Sequence, residues 1–368
     1  MSRFGFEPAK RDDDAEFRKR MAEDWLPGHI SVSFRREPDY FAGCNVQAED
    51  MQVFKCVDNK QGIIIGIGCR GISRVYINGS LKKTGYLSDL RCHPDYRGGT
   101  LLSRAYSYLQ EMHKIEPVDL YYTMILDGND TALNILTSAR TGLPRYRDIG
   151  RFLTPAIHLD FARPEIIQPG VEVVRAKTEN MPELFQFINH CYSKKQFSPY
   201  YQYSDIGTAR LNGLKAEDFY MVIRDNKIIA CAAAWDQTDV RQTHVEKYNT
   251  LLALTRPFYN FIANFTPLKP LPAPGEKVSY FYLSFVAIEN NDVDIFRLLL
   301  RHVYRDRRTG PWNYFIIGLH ERDPLSVVLD EYRKIDAAGN LFVVHYPEDE
   351  DKFNMLDDRV PYVEVASI

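Results

Sequence analysis

The sequence has no Cys-x-x-Cys pair. Its six cysteines (Cys44, Cys56, Cys69, Cys92, Cys191 and Cys231) are scattered, which speaks against a zinc site and against a disulfide framework, and suits reduced thiols in cytosol. A metal helix is missing too: His320-Glu-Arg-Asp323 gathers donor atoms without the i, i+4 histidine spacing, so no metal is expected. No apolar run reaches spanning length, and Met1-Ser-Arg-Phe-Gly-Phe-Glu-Pro8 lacks the apolar core of a secretory signal. The expectation is a cytoplasmic protein without a membrane partner. Neither charge sign dominates: 46 Lys and Arg against 49 Asp and Glu leave a net charge of −3, which gives no pull toward nucleic acid.

What is present is an ordinary globular composition, 45% hydrophobic and 26% charged, spread over 368 residues. That length exceeds what one core usually organises and points to two domains. The rest of the chain is arranged around the stretch Tyr86 to Tyr106. Leu87, Asp89 and Arg91 alternate with Ser88, Leu90 and Cys92 as a half-buried strand requires, and Pro94, which cannot donate to a ladder, ends it. Arg97-Gly98-Gly99-Thr100 then leads into Leu101, Leu102, Ala105 and Leu109 at helical spacing. A strand, a tight turn and a helix in that order aim free N–H groups of a helix N-terminus past the strand end, an arrangement that favours a phosphate.

Pro94-Asp95-Tyr96-Arg97-Gly98, after a strand and before Leu101-Leu102 on a helix, resembles the signature of the GCN5-related N-acetyltransferases. The resemblance implies an α/β (α+β) mixed-sheet fold whose turn holds the pyrophosphate of acetyl-CoA, or of another acyl-CoA, and an acyl transfer to an amine. By it, Arg97, Gly98, Gly99, Thr100, Leu101 and Leu102 would line the cofactor, and the main-chain N–H groups of Leu90, Arg91 and Cys92 would hold the thioester oxyanion. The family pattern is Arg/Gln-x-x-Gly-x-Gly/Ala, and here Thr100 and Leu102 stand where small residues are usual; a Leu102 side chain there would crowd a diphosphate. Asn129-x-x-Ala132 with Ile135 and Leu136 resembles a second family segment, which adds Asn129 to the cofactor residues. The family's acidic tyrosine aligns with Leu136, leaving Thr137, Ser138 or Tyr146 as substitutes, although a CoA thiolate also leaves unaided. Asp89 is the best-placed carboxylate for a base, with a structural carboxylate as the competing reading.

Around this stretch, Arg3–Glu7 is expected as a strand and the residues after Asp12-Asp13-Asp14 as a helix through about Trp25, with Phe17, Met21 and Trp25 on one face. Arg36 to Phe41 reads as a loop into a short helix; the family's acceptor pocket lies in this region. Gln52–Val57 and Gly62–Gly68 read as a hairpin. Gly66-x-Gly68-x-x-Gly71 matches a dinucleotide fingerprint, but Ile72 to Ile77 is a strand running into an Asn78-Gly79 turn, and the fingerprint needs a helix there.

From Val171 the pattern repeats: a strand to Ala176, a helix Met181–Tyr192, a hairpin around Asp225-Asn226, a strand Tyr280–Ile288 and a helix Ile295–Val303. Leu87 with Phe281 and Tyr122 with Phe315 are separated by roughly 190 residues, which indicates duplication of a whole domain. The expected layout is 1–162, a proline-rich linker 163–170, and 171–368. Where the first copy has Arg97-Gly98-Gly99, the second has Glu289 to Asp294 with three carboxylates, so it is not expected to bind CoA. It remains for it to complete an acceptor pocket, supply a homodimer surface or stabilise its partner. The insertion 240–277 reads as a surface connection, Arg301 to Arg308 as a basic helix end complementing the macrodipole, and Phe197 to Tyr203 as an aromatic loop that covers substrate or packs. The functional expectation is an N-acetyltransferase acting on a small-molecule or peptide amine. A CoA-binding module without turnover and a transferase of longer acyl groups are the alternatives.

Overall fold

A computed structural model describes residues 3–138 and 142–368. Two mixed sheets form the frame, and each is built around one bulged strand. In the first, the order runs Phe4–Pro8, Asp50–Asp58, Ile63–Ile77, Ser80–Cys92, Tyr121–Leu126, Ala338–His345, Arg145–Leu153 and Leu319–His320. In the second it runs Val171–Arg175, Phe219–Arg224, Lys227–Trp235, Tyr280–Ile288, Tyr314–Ile317, Ala156–His158 and Lys334–Ile335. Over seven positions the orders coincide, the first sheet adding Leu319–His320 at its end, with an antiparallel hairpin, a bulged strand, a helix (Leu101–Ile115 or Val293–Arg307) and a parallel return strand in each. The duplication is therefore a property of the fold. The bulges fall at Asp89 and Phe285, both at positive φ, so the matching partner of Leu87 is Leu283 rather than Phe281.

The contiguous layout 1–162 and 171–368 does not describe the sheets. Each sheet takes its sixth strand from the other half: Ala338–His345 lies between Tyr121–Leu126 and Arg145–Leu153, and Ala156–His158 lies against Tyr314–Ile317. The halves are further joined at the first sheet's edge, where Ser198–Pro199 pairs with Val75–Tyr76 while Phe197 and Tyr201 are buried in the core. The loop thus packs from Phe197 to Tyr201, with Tyr201 and Phe285 rings 4.7 Å apart, whereas Tyr203 is exposed. One core of tyrosines and phenylalanines from both halves fills the space between the sheets.

Local chemistry explains the elements. The Asn78-Gly79 and Asp225-Asn226 turns have positive φ at both central residues, which matches the twist of a hairpin. Gly68 of the false dinucleotide fingerprint sits under the Phe54 ring, where a Cβ would come within 2.3 Å, so its small size serves strand packing. Helix Asp14–Glu23 buries Phe17 and Met21, but Trp25 lies beyond its end and is exposed. The basic helix end at 301–308 puts Arg305 and Arg307 in the last turn, as complementing the macrodipole requires, and ion pairs hold it in place as well. Arg301 is buried against Tyr332 and Glu331, Arg305 meets Glu165, and Arg307 meets Asp218. The insertion forms a strand, Gln242–Tyr248, paired with Ile30–Arg35, and then an exposed helix, Thr250–Ala263.

Candidate functional site

After the bulge the first sheet opens. Ser80–Cys92 and Tyr121–Leu126 pair in parallel only at Gly85–Tyr86 with Tyr121–Tyr122, and the Thr123 hydroxyl reaches the Leu87 carbonyl at 2.7 Å before the strands part. Asp89 and Leu90 together face the single residue Gly68 across the hairpin, which is the two-against-one count of a bulge and turns the strand's end away from its ladder. Leu90 is exposed, Cys92 pairs with Gly66, and Arg91 donates to the Asp24 carbonyl at 2.8 Å and carboxylate at 3.1 Å.

The chain then makes a short 3-10 turn, Pro94–Tyr96, and enters the helix at Leu101. Gly98 and Gly99 have φ of +103° and +63°, and a Cβ on either would meet nothing within 4 Å. These glycines supply both the left-handed turn and open space above it. Thr100 is the N-cap but makes no side-chain capping bond, and the helix's first turn carries no carboxylate. Its leading N–H groups lack intrahelical partners by construction. They open on a depression of about 720 Å³ lined by Arg3, Tyr96, Arg97, Gly98, Gly99 and Thr100. Arg97 is braced across its mouth, with Nε on the Cys92 carbonyl at 3.2 Å and a terminal nitrogen on Asp24 at 2.7 Å. Leu101 lines the same depression, whereas Leu102 packs into the core with Ile72, Tyr106 and Leu109. The crowding expected of Leu102 is absent because its helical position turns it inward.

Asn129, Thr137 and Asp89 are engaged elsewhere. The Asn129 side-chain Oδ1 accepts from Ala132 N–H at 3.3 Å and caps its own helix, Asp130–Leu136. Thr137 donates to the Leu133 carbonyl at 2.7 Å and Ser138 to that of Ile135 at 2.6 Å, so both hydroxyls are bonded within their helix rather than offered to a thiolate. Tyr146 is half-buried and bonded to Tyr106, and the desolvation of its hydroxyl holds it well above the usual range. Leu136 fills the core.

Asp89 forms a buried ion pair with Arg36 at 2.6 Å and accepts from the Tyr40 hydroxyl at 2.9 Å. Arg36 also reaches Cys44 and, at 3.0 Å, Gln47, and its guanidinium lies over the Tyr40 ring. Cys44, Cys69 and Asp89 bring their donor atoms within 4.8 Å of one another, but the guanidinium already supplies the cation in their midst. Burial opposes ionisation of Cys44, yet the Cys69 thiol and Arg36 outweigh it and bring the Cys44 thiol below its ordinary range. Burial pushes the Cys69 thiol up. Asp89 thus pins the bulge to the helix Tyr40–Asn45, with its carboxylate engaged by Arg36 and the Tyr40 hydroxyl. Sequence reasoning reached Arg36 only as part of a loop; no local pattern marks it as the partner of a carboxylate on a distant strand. Asp24, which holds both Arg91 and Arg97, carried no signal at all.

The second copy differs at both places. Asp292 caps its helix by accepting from Asp294 and Ile295 N–H at 3.0 and 3.1 Å, so the donors left open at Thr100 are filled. At its bulge the Phe285 N–H donates to Glu364 at 2.9 Å, where the Tyr362 hydroxyl also bonds at 3.1 Å. Burial pushes the Glu364 carboxyl above its ordinary range.

No family model matches the sequence, and no curated protein matches it. Solved structures do. Saccharomyces cerevisiae N-myristoyltransferase with bound myristoyl-CoA superimposes with a TM-score of 0.59 at 9% identity, covering 94% of this chain and 83% of that one. A GCN5-related N-acetyltransferase from Sphaerobacter thermophilus gives 0.55 at 11% identity, over 93% and 96% of the two chains. A GCN5-related glucosamine N-acetyltransferase region in a fungal multi-domain β-N-acetylglucosaminidase gives 0.63 at 14% identity, over 93% of this chain and 38% of that one. With both halves covered in each case, the chain has the tandem fold of the GCN5-related N-acetyltransferases and N-myristoyltransferase.

Proposed function

We propose that the protein is an N-acyltransferase that binds acetyl-CoA at the Arg97–Thr100 turn of its first copy and transfers the acetyl group to an amine of a small molecule or peptide. The observation that carries this reading is the uncapped helix N-terminus behind two open glycines, beside strands that part after two residue pairs. Solved structures of the same fold include N-myristoyltransferase with bound myristoyl-CoA and a glucosamine N-acetyltransferase region, which supports a CoA thioester as donor and an amine as acceptor.

In this reading the pyrophosphate accepts from the leading N–H groups of the helix and from Arg97, and the thioester lies along the open edge after the bulge. The Leu90 to Cys92 main chain stabilises the tetrahedral oxyanion, where one preorganised donor is worth on the order of 10²–10³ in rate. Asp89 is a positioning residue: through Arg36 it holds the bulge, while the amine loses its proton to water. Holding amine and thioester together supplies much of the remaining acceleration. The CoA thiolate departs without a dedicated acid, since Thr137, Ser138 and Tyr146 are all bonded elsewhere.

Release of free CoA thiol, followed for acetyl to long-chain acyl donors against a panel of amines, tests the proposal. Turnover with acetyl-CoA that falls at least about 10-fold in kcat/KM in Arg97→Ala is the expected result. Donor binding with no thiol release for any amine would instead identify a CoA-binding module, and turnover confined to long chains would make it a transferase of those groups.

A further inference from the structure

Helix Thr250–Ala263 carries an apolar seam that nothing in the chain covers. Leu251, Leu254, Phe258, Phe261 and Phe265 are 69, 75, 69, 61 and 75% exposed. Leu251, Leu254, Phe258 and Phe261 lie on the helix at 3-4-3 spacing, that of the core positions of a helix pair, and at about 100° per residue they fall within an arc of roughly 80°. Phe265 lies in the turn just past the helix end, its ring 5.2 Å from that of Phe261. Exposed leucines and phenylalanines are ordinary when scattered, but four on one stripe of one helix, extended by a fifth just past its end, are not.

The opposite face is fastened down. Arg256 donates to the Leu271 carbonyl at 3.3 Å, and Asn260 both donates to Leu271 at 3.0 Å and accepts from it at 2.8 Å. The proline-rich segment 266–274 therefore acts as a strap that holds the polar side and leaves the seam outward. The base of the helix is fixed as well, by Asn249 N–H on the His29 carbonyl at 2.9 Å and by pairing of Gln242–Tyr248 with Ile30–Arg35.

We infer that this seam is the contact through which two copies of the chain associate, seam against seam about a two-fold axis. Three observations select a second copy. Between residues 248 and 268 the sole charged side chain is Arg256, which is turned onto the strap, so the seam meets itself without like-charge repulsion. A helix that lies on a membrane carries lysines and arginines on its polar face to meet lipid head groups, and here that face is occupied by the protein's own chain. The exposed part of the five side chains is roughly 600 Å² per chain, so pairing buries roughly 1,200 Å² in all, the lower end of the range for stable interfaces. Because the paired strand Ile30–Arg35 leads directly into Arg36, the contact also braces the segment that holds Asp89. This inference does not depend on the proposed acyl transfer.

Sedimentation equilibrium of the full chain from about 1 to 100 µM provides the test, run on wild type, on Leu254→Glu/Phe258→Glu and on the milder Leu251→Gln/Phe261→Gln. The expected result is a wild-type mass of twice the 42.7 kDa chain, with the Glu variant dissociating at concentrations at least about 100-fold higher. The Gln variant should weaken association in the same direction, with a thermal midpoint equal to that of wild type when both are diluted to monomers. A wild type that stays monomeric at 100 µM overturns the inference, and so does a dimer that both variants leave intact. Flotation with neutral or anionic phosphatidylcholine–phosphatidylserine vesicles is the companion measurement. Monomeric wild type that floats, and variants that do not, would make the seam a lipid surface and equally overturn the dimer.

Discussion

The turn that follows the bulged strand is open in the first copy and closed in the second. The two copies share strand order, bulge and helix, yet in the second Asp292 caps the helix start that Thr100 leaves without a side-chain cap, and Glu364 accepts the bulge N–H of Phe285. The leading N–H groups of a helix are costly to leave unsatisfied, so an internal cap such as Asp292 suits the second copy to a support role, while the first is left open to water or a ligand. The segment between bulge and helix, 90–100 in the first copy and 286–292 in the second, is correspondingly shorter in the support.

The largest effect is expected where the two bulges are anchored. The first rests on a buried ion pair and the second on aromatic packing around Phe285. Asp89→Ala should cost about 3–5 kcal/mol in urea unfolding because Arg36 is left buried and unpaired. The joint change Arg36→Met/Asp89→Leu, which makes the first bulge apolar like the second, should recover most of that loss. Equal losses in the single and joint variants would show that Asp89 acts through something other than Arg36.

A smaller asymmetry is expected at the helix starts. Asp292→Ala removes a double cap and should cost about 1 kcal/mol, whereas Thr100→Ala, which removes no capping bond, should stay within about 0.5 kcal/mol of wild type. Chemical denaturation of both resolves the difference.

The smallest effect depends on pH. Burial raises Glu364 above its ordinary 4.5, so the folded state keeps a proton that the unfolded chain gives up. The stability this contributes is fully present below pH 4.5 and is lost as pH rises through the raised value. Glu364→Gln keeps an acceptor for Phe285 N–H without titrating, so its thermal midpoint should gain on wild type as pH rises above 4.5 and then level off. A gap that is flat with pH would mean the carboxyl is ionised in the fold.

Much of this contrast was legible from the residues. Pro94, Arg97, Gly98 and Gly99 announce the strand, turn and helix by local chemistry, and Asn78-Gly79 and Asp225-Asn226 announce their hairpins in the same way. The carboxylates at 289–294 marked the second turn as different, although capping by Asp292, rather than repulsion alone, is what closes it. What was not legible is non-local. Pairing of 338–345 with 121–126 across more than half the chain leaves no periodic trace, so the exchanged strands and the failure of the 1–162 boundary appear only in the fold. The Arg36–Asp89 and Asp24–Arg97 pairs are hidden for the same reason. On helix Thr250–Ala263 the seam spacing is present in the sequence, but its exposure follows from a strap whose hydrogen bonds no spacing reveals.

Calorimetric titration of acetyl-CoA into wild type and Thr100→Glu tests the contrast between the copies most directly. Glutamate at this exposed N-cap position places in the first copy the carboxylate that Asp292 provides in the second, without removing a native contact. One site per chain in wild type, weakened at least about 10-fold in a variant whose thermal midpoint is unchanged or raised, is the predicted result. Two sites per chain, no binding to wild type, or binding that Thr100→Glu leaves untouched would contradict it.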